Sequence, residues 1–285
     1  FDLSKGFTQT NYGTLEANVD MWSRYDAGRV AIWKEYNNYI KSLSNDFYVI
    51  LEHFAYNDEE RELEADGMMF WNNMHYNFCE ASMGYIVNSD FSKAFYTNHG
   101  FSNSGNLITY MESHDEERVM YKNIKYGNSS TNYSIKNINT ALKRQEMTAA
   151  FLFSIPGAKM LWQFGELGYD ISINQNTRTG EKPILWDYKT QTDRKQLYDR
   201  FAKFIKMKIN NNVFNTRDFS YQLNTAVKQI ILKGDDNNVV IVGNFDVEPR
   251  LATINFPVPG LWTNYLTKEK INVSQNYKVE LQPGE

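Results

Sequence analysis

The chain predicts an α/β fold, the second half of a parallel (β/α)8 barrel followed by a small antiparallel β-sandwich domain. Three observations predict it. Strand-like and helix-like runs alternate through residues 1–213, the pattern of βαβ units. Three acidic motifs sit where apolar runs meet loops, the edge at which parallel barrels keep their reacting groups. After residue 214 the helical periodicity stops, and short strands separated by turn residues take over.

Residues 1–5 read as the last turn of a strand and the loop after it. Val30, Trp33, Tyr36 (or Asn37) and Ile40 recur at helical spacing and predict an amphipathic helix over about 27–43. Phe47–Leu51 is rich in β-formers and predicts a buried strand. The acidic run 57–66 reads as a solvated loop or helix start, and Met68–Trp71 as the next strand. Ser89 or Asp90 can cap a helix that ends at Gly100. Asn106–Met111 predicts a strand, and Thr140 a helix cap for 141–154, stopped by Pro156-Gly157. Ala158–Phe164 predicts another strand, and 193–210 a helix with Leu197, Phe201, Phe204, Ile205 and Ile209 on one face. Val227–Lys233 and Asn238–Asn244 flank Gly234-Asp235-Asp236-Asn237, a hairpin signal. Strands over 251–256, 261–266 and 277–282 complete the tail. The domain boundary is expected at 213/214. Four strands and a stub fall short of the eight that close a barrel, so an N-terminal barrel half is expected as a partner. The chain begins with Phe1 rather than Met, so its true start is expected upstream.

Net charge is −4, which gives no basic footprint for nucleic acid. The single cysteine, Cys79, excludes an intramolecular disulfide, and it reads with Met83 as buried packing. No run of about 18 apolar residues suggests a transmembrane segment. Aromatic residues make up 15% of the chain; most read as packing, and exposed rings as stacking surfaces for sugars. His75 and His99 have no metal-ligand spacing and read as structural, and the ten methionines read as core filler.

The motifs are Phe1-Asp2-Leu3-Ser4-Lys5, Val49-Ile50-Leu51-Glu52-His53-Phe54 and Tyr110-Met111-Glu112-Ser113-His114-Asp115. Taken singly, each has a plain explanation: a turn-forming Asp, a surface Glu-His pair, the start of an acidic loop. Together, in order and at strand ends, they suggest sugar-transfer chemistry. A retaining glycosidase needs one carboxylate to attack the anomeric carbon and one carboxylic acid to protonate the leaving oxygen. Asp2 is the candidate nucleophile and Glu52 the candidate acid/base, about one strand–helix–strand unit apart. Asp115 is a third carboxylate that would grip sugar hydroxyls and support developing positive charge. His114 would donate to the same sugar.

These residues resemble the α-amylase family of glycoside hydrolases. Phe1-Asp2-Leu3-Ser4-Lys5 is similar to the back half of its fourth-strand motif, and Lys5 to its substrate-binding lysine. Leu51-Glu52-His53-Phe54 resembles the fifth-strand acid/base segment, and Ser113-His114-Asp115 the seventh-strand motif. Phe164-Gly165-Glu166-Leu167-Gly168 resembles the eighth-strand segment. Arg178-Thr179-Gly180-Glu181-Lys182-Pro183 with Trp186 resembles the loop after it. The resemblance implies strands 4 to 8 of the barrel and retaining hydrolysis of α-1,4-glucans through a glycosyl-aspartate. The implied site is Asp2, Glu52 and Asp115, with Lys5, His53, His114 and Arg178 binding substrate. Glu166 reads as a structural carboxylate near the site. No cofactor is certain; calcium is left open, because Gly6 stands where many members carry a His whose backbone helps bind it. The family's Arg two residues before the nucleophile would precede Phe1, and its first three strands would lie upstream. An extracellular or periplasmic address is favoured. Two alternatives stand: a fragment that only binds sugar or pairs with its missing half, and a transglycosylase or branching enzyme.

Overall fold

The computed structural model describes residues 1–12 and 18–285. It forms two compact units, one of residues 1–73, 93–110 and 156–160, the other of 74–92, 111–155 and 161–285.

The first unit holds a short helix α1 (Asn18–Met21), helix α2 (Ala27–Leu43) and helix α3 (Asn57–Ala65) around strands β1 (Ile50–Leu51), β2 (Met69–Asn73) and β3 (Leu107–Tyr110). The strands are parallel in the order β1-β2-β3, with Leu51 opposite Phe70 and Asn73 opposite Tyr110. Thr109 makes a further parallel bridge to Lys159. On the other side the chain start pairs with β1: the Phe1 amino group donates to Ile50 O (2.7 Å) and Glu52 N to Phe1 O (2.9 Å). Parallel segments therefore follow one another in chain order. Helix α2 begins at Asp26, whose carboxylate accepts from Gly28 N and Arg29 N. It buries Val30, Trp33 and Asn37, so the apolar stripe runs through Asn37 and leaves Tyr36 exposed.

The acidic run departs from expectation. It is helix α3, and Glu59, Glu60 and Glu64 are buried with Leu63. Buried carboxylates need donors. Glu64 receives Ser102 Oγ, Asn103 N (3.0 Å) and Asn106 Nδ2. The expected helix up to Gly100 is instead two 3-10 turns, Ser92–Ala94 and Tyr96–His99. Ala94, Phe95 and Tyr96 are all buried. Gly100 does close the second turn, at φ 72°. The expected strand 158–164 pairs only near Lys159.

The second unit contains helices α4 (His75–Met83), α5 (Val119–Tyr126), α6 (Ile138–Ser154) and α7 (Thr192–Asn210). Its strands are β4 (Phe219–Gln222), β5 (Val227–Lys233), β6 (Asn238–Asn244), β7 (Arg250–Asn255), β8 (Gly260–Thr263), β9 (Lys270–Val273) and β10 (Asn276–Leu281). Helix α6 starts three residues earlier than expected, because Asn137 rather than Thr140 caps it, accepting from Asn139 N and Thr140 N. The strands pair antiparallel in sheets β4-β5-β6, β7-β10 and β8-β9. The β5–β6 hairpin keeps the expected limits, with Lys233 opposite Asn238. Ala252, Ile254, Phe256, Val273 and Leu281 form an apolar cluster there. Cys79 and Met83 are buried as expected. Among the described residues, no helix is long and apolar enough to cross a membrane.

Candidate active site

In the first unit, the chain start and β1 carry the first two motifs side by side. The bonds from Phe1 N to Ile50 O and from Glu52 N to Phe1 O place Phe1 opposite Leu51. The next register pair is Asp2 with Glu52. Paired residues of parallel strands direct their side chains to one face. Accordingly, a carboxylate oxygen of Asp2 and one of Glu52 lie within 4.8 Å of each other. Asp2 is exposed and Glu52 half-buried, so one side of the pair faces solvent.

Both strand ends turn sharply. Leu3, directly after Asp2, has φ 42°, and Phe54, just beyond Glu52 and His53, has φ 51°. Left-handed backbone at bulky residues costs about 1–3 kcal/mol each and persists only where the surroundings over-determine it. The surroundings do so here. Ser4 N donates to Glu52 O (2.9 Å) and Trp33 Nε1 to Ser4 O (3.2 Å).

His53, expected to bind sugar, is fully buried with both ring nitrogens engaged. Nε2 faces Glu59 Oε1 at 2.7 Å, and a carboxylate can only accept, so Nε2 carries the proton. Burial holds the ring's pKa below its ordinary value. Nδ1 is therefore left to accept from Ser4 Oγ, 2.8 Å away. The ring ties the two strand ends together instead of offering a nitrogen to a ligand. Glu59 also receives Arg29 Nε (2.6 Å) and Nη2 (2.7 Å) and Asp26 N (2.9 Å). Burial alone would raise the Glu59 pKa, but His53 and Arg29 outweigh it and hold the group below its ordinary value. Arg29 Nη1 donates to Lys5 O (2.6 Å), so the network reaches the chain behind Asp2.

Lys5, the second expected sugar ligand in this unit, is also buried. Its ammonium donates to Ser23 Oγ (2.9 Å) and Phe54 O (3.3 Å). Desolvation lowers its pKa, with Asp20 opposing the shift. Lys5 therefore pins the Phe54 turn.

In the second unit, the third motif brings three of the expected residues together. Arg178 Nη2 donates to Asp115 O (2.6 Å) and lies 3.6 Å from Asp115 Oδ1. His114 Nε2 is 3.5 Å from Asp115 Oδ2. All three stay roughly half exposed, at 44% for His114, 51% for Asp115 and 58% for Arg178, so they remain open to a ligand. The His114 ring packs beside Trp162 at 5.8 Å. Behind them Arg118 Nη1 donates to Ser113 O (2.8 Å), with its guanidinium over Trp162 and Tyr169.

Glu112 is buried, and its Oε1 accepts from Val119 N (2.6 Å), the first amide of α5. Burial pushes its pKa up to about 7, against the pull of Arg118 and the Val119 amide. A side chain at position 165 would start 2.5 Å from Glu112 Oε2, which explains the glycine. Phe164 before it is left-handed at φ 62°, a third motif with a strained turn.

Sequence reasoning missed Arg29, Glu59, Glu112 and Arg118. Glu112 lies inside its motif and Arg118 bonds Ser113 O in the same loop, while Arg29 and Glu59 meet through the fold.

No family profile and no curated protein sequence matches the chain. Solved structures do. An Anoxybacillus α-amylase aligns with TM-score 0.64 at 15% identity, over 90% of this chain and 54% of its own. The α-amylase of Geobacillus thermoleovorans, in complex with acarbose, gives 0.64 at 14%, over 92% and 57%. The γ-CGTase of alkalophilic Bacillus clarkii gives 0.67 at 14%, over 95% and 41%. The fold is thus that of α-amylase-family glycoside hydrolase structures, and the chain spans about half the length of these neighbours.

Proposed function

We propose that the chain carries the catalytic carboxylates of a retaining α-glycoside hydrolase that cleaves α-1,4-glucans such as starch and maltooligosaccharides. The observation that carries this reading is the register pairing of Asp2 and Glu52, with oxygens within 4.8 Å. Retention uses carboxyls roughly 5–5.5 Å apart, whereas inversion needs about 6.5–9.5 Å to admit a water. Asp2 attacks the anomeric carbon while Glu52 protonates the departing oxygen. Glu52 then takes a proton from the water that releases the sugar from Asp2. Asp115 serves as the third carboxylate, with His114 and Arg178 binding sugar hydroxyls and Trp162 offering a ring to stack on. Lys5 and His53 act as positioning residues.

Residues 1–213 are read as strands 4 to 8 of a barrel and 214–285 as a separate β domain. The sequential parallel pairing and the half-length coverage support the half-barrel reading. The isolated chain is then incomplete and inactive until joined by the N-terminal half, in an extracellular or periplasmic setting. Transfer to a sugar acceptor is the second reading, favoured by the γ-CGTase among the neighbours, since transfer and hydrolysis share the covalent intermediate.

The test is maltoheptaose turnover by the protein with its barrel complete, followed by NMR of the newly formed anomer. The expected product is the α-anomer, with Glu52→Gln slowing kcat about 10²–10⁴-fold and Asp2→Asn at least as much. Wild-type rates in both variants, or a β-anomer, would refute the assignment. Products longer than the substrate would favour transfer.

A further inference from the structure

The second unit contains a cavity of about 480 Å³ that the proposed chemistry does not use. Its walls come from α6, α7 and the sheets of the tail, including Phe204, Met207, Val240, Val242, Trp262 and Tyr265. The volume falls in the range of small-molecule sites, roughly 300–1,000 Å³. Strand β6 runs along it with Val239, Val240, Ile241 and Val242 all only half-buried, so both faces of an apolar strand stay partly uncovered. Three of the polar side chains in the wall are already engaged. Trp262 Nε1 donates to Val258 O (3.1 Å), and Asn211 Nδ2 to Met207 O (2.6 Å). Asn264 Oδ1 accepts from Leu266 N (2.9 Å) and Thr267 N (3.1 Å). A sugar would need such groups for its hydroxyls; an alkyl chain would not.

The rim beside Tyr265 carries two ammonium groups. Lys268 Nζ lies 4.5 Å from the Tyr265 ring centroid and Lys203 Nζ 5.1 Å. Lys203 precedes Phe204 and sits one turn before Met207, both wall residues, and it donates to Leu266 O (3.4 Å). Nearby carboxylates are turned to other partners: Glu146 pairs with Arg200 (2.9 Å), and Glu269 accepts from Thr267 Oγ1 (3.1 Å). Desolvation, Lys268 and Arg200 lower the Lys203 pKa, with Glu146 pulling the other way.

We propose that this cavity binds an amphipathic anion, an acyl chain with a terminal carboxylate, whose tail lies along β6 and whose head group meets Lys203 and Lys268. The inference is independent of the glycosidase reading.

Sodium dodecanoate below its micellar concentration is titrated into the full chain, followed by calorimetry and tryptophan fluorescence. Maltoheptaose and dodecyltrimethylammonium serve as comparators. Saturable binding of dodecanoate is expected, weakened at least tenfold in the Lys203→Ala/Lys268→Ala double variant, whose changes lie at the surface. Val240→Trp, which fills the cavity, is expected to abolish binding, with circular dichroism checking that it folds. No dodecanoate binding by the folded wild type overturns the proposal. So does equal binding of the cationic detergent, an unweakened lysine variant, or displacement of dodecanoate by maltoheptaose.

Discussion

Glu59 in the first unit and Glu112 in the second are both buried, yet the fold shifts their pKa values in opposite directions. Glu59 meets a bidentate arginine, a histidine N–H and a backbone amide, and its pKa falls. Glu112 accepts one backbone amide, and burial pushes it up to about 7. The difference teaches that burial does not by itself set a carboxylate's charge; a close cationic partner and a side-chain N–H donor can outweigh it. Glu60, one residue from Glu59, lacks such a partner among the described residues. Burial raises it to about 8, although the Phe54 and Ala55 amides pull the other way.

The largest expected effect comes from breaking the ionised member. Glu59→Ala leaves Arg29 buried without its counter-charge, which costs about 3–5 kcal/mol. Arg29→Met combined with Glu59→Met should cost far less than the sum of the single changes. Urea unfolding of the four proteins measures this. Additive costs would mean that the pair does not act as one unit.

The next effect separates the two carboxylates by pH. Glu112 has a raised folded pKa, so its favourable contribution is complete below 4.5 and is lost as pH rises toward about 7. The full loss is on the order of 3 kcal/mol. Glu112→Gln should therefore be close to neutral at low pH and stabilising above neutrality. Glu59 and His53 have the opposite sign, because both are lowered. Glu59 contributes fully above its ordinary carboxylate range and loses that contribution as pH falls through its depressed value. His53 loses its share as pH drops below its usual 6.5. Thermal unfolding of wild type and Glu112→Gln across pH 4–9 reads the Glu112 and His53 limbs. A Glu112→Gln cost that does not change with pH would place Glu112 among the ionised groups.

The same contrast explains what was legible in the sequence. The motifs were legible because each lies where an apolar run meets a loop, a purely local signal. Helix α2 was legible through its stripe, and the β5–β6 hairpin through its turn residues. Helix α4 was not, since Phe78, Cys79, Ala81, Ser82 and Met83 are all buried, and burial on most faces erases the period. The acidic run 57–66 misled for a different reason. Its composition reads as solvated, and only Arg29 and His53, brought in by the fold, show why Glu59 can be buried. Lys5 and His53 were read as ligands because a motif conveys residue type; their inward direction is set by Ser23 and Phe54 for one and by Ser4 and Glu59 for the other.

The smallest stability effect is expected at Arg178. Its contact with Asp115 is a 3.6 Å pair of half-exposed side chains, a class worth about 0–1 kcal/mol and weakened further by salt. Its hydrogen bond to Asp115 O adds at most a comparable amount at that exposure. Arg178→Ala should leave the urea midpoint nearly unchanged. If Arg178 binds sugar beside Asp115, the same variant should raise KM for maltoheptaose more than it lowers kcat, because it removes binding shared by ground and transition states. The buried Glu59 should show the converse, with stability falling and surviving folded protein retaining its KM. A Glu59 variant that keeps its stability while losing only KM would reverse the division between supporting and contacting residues.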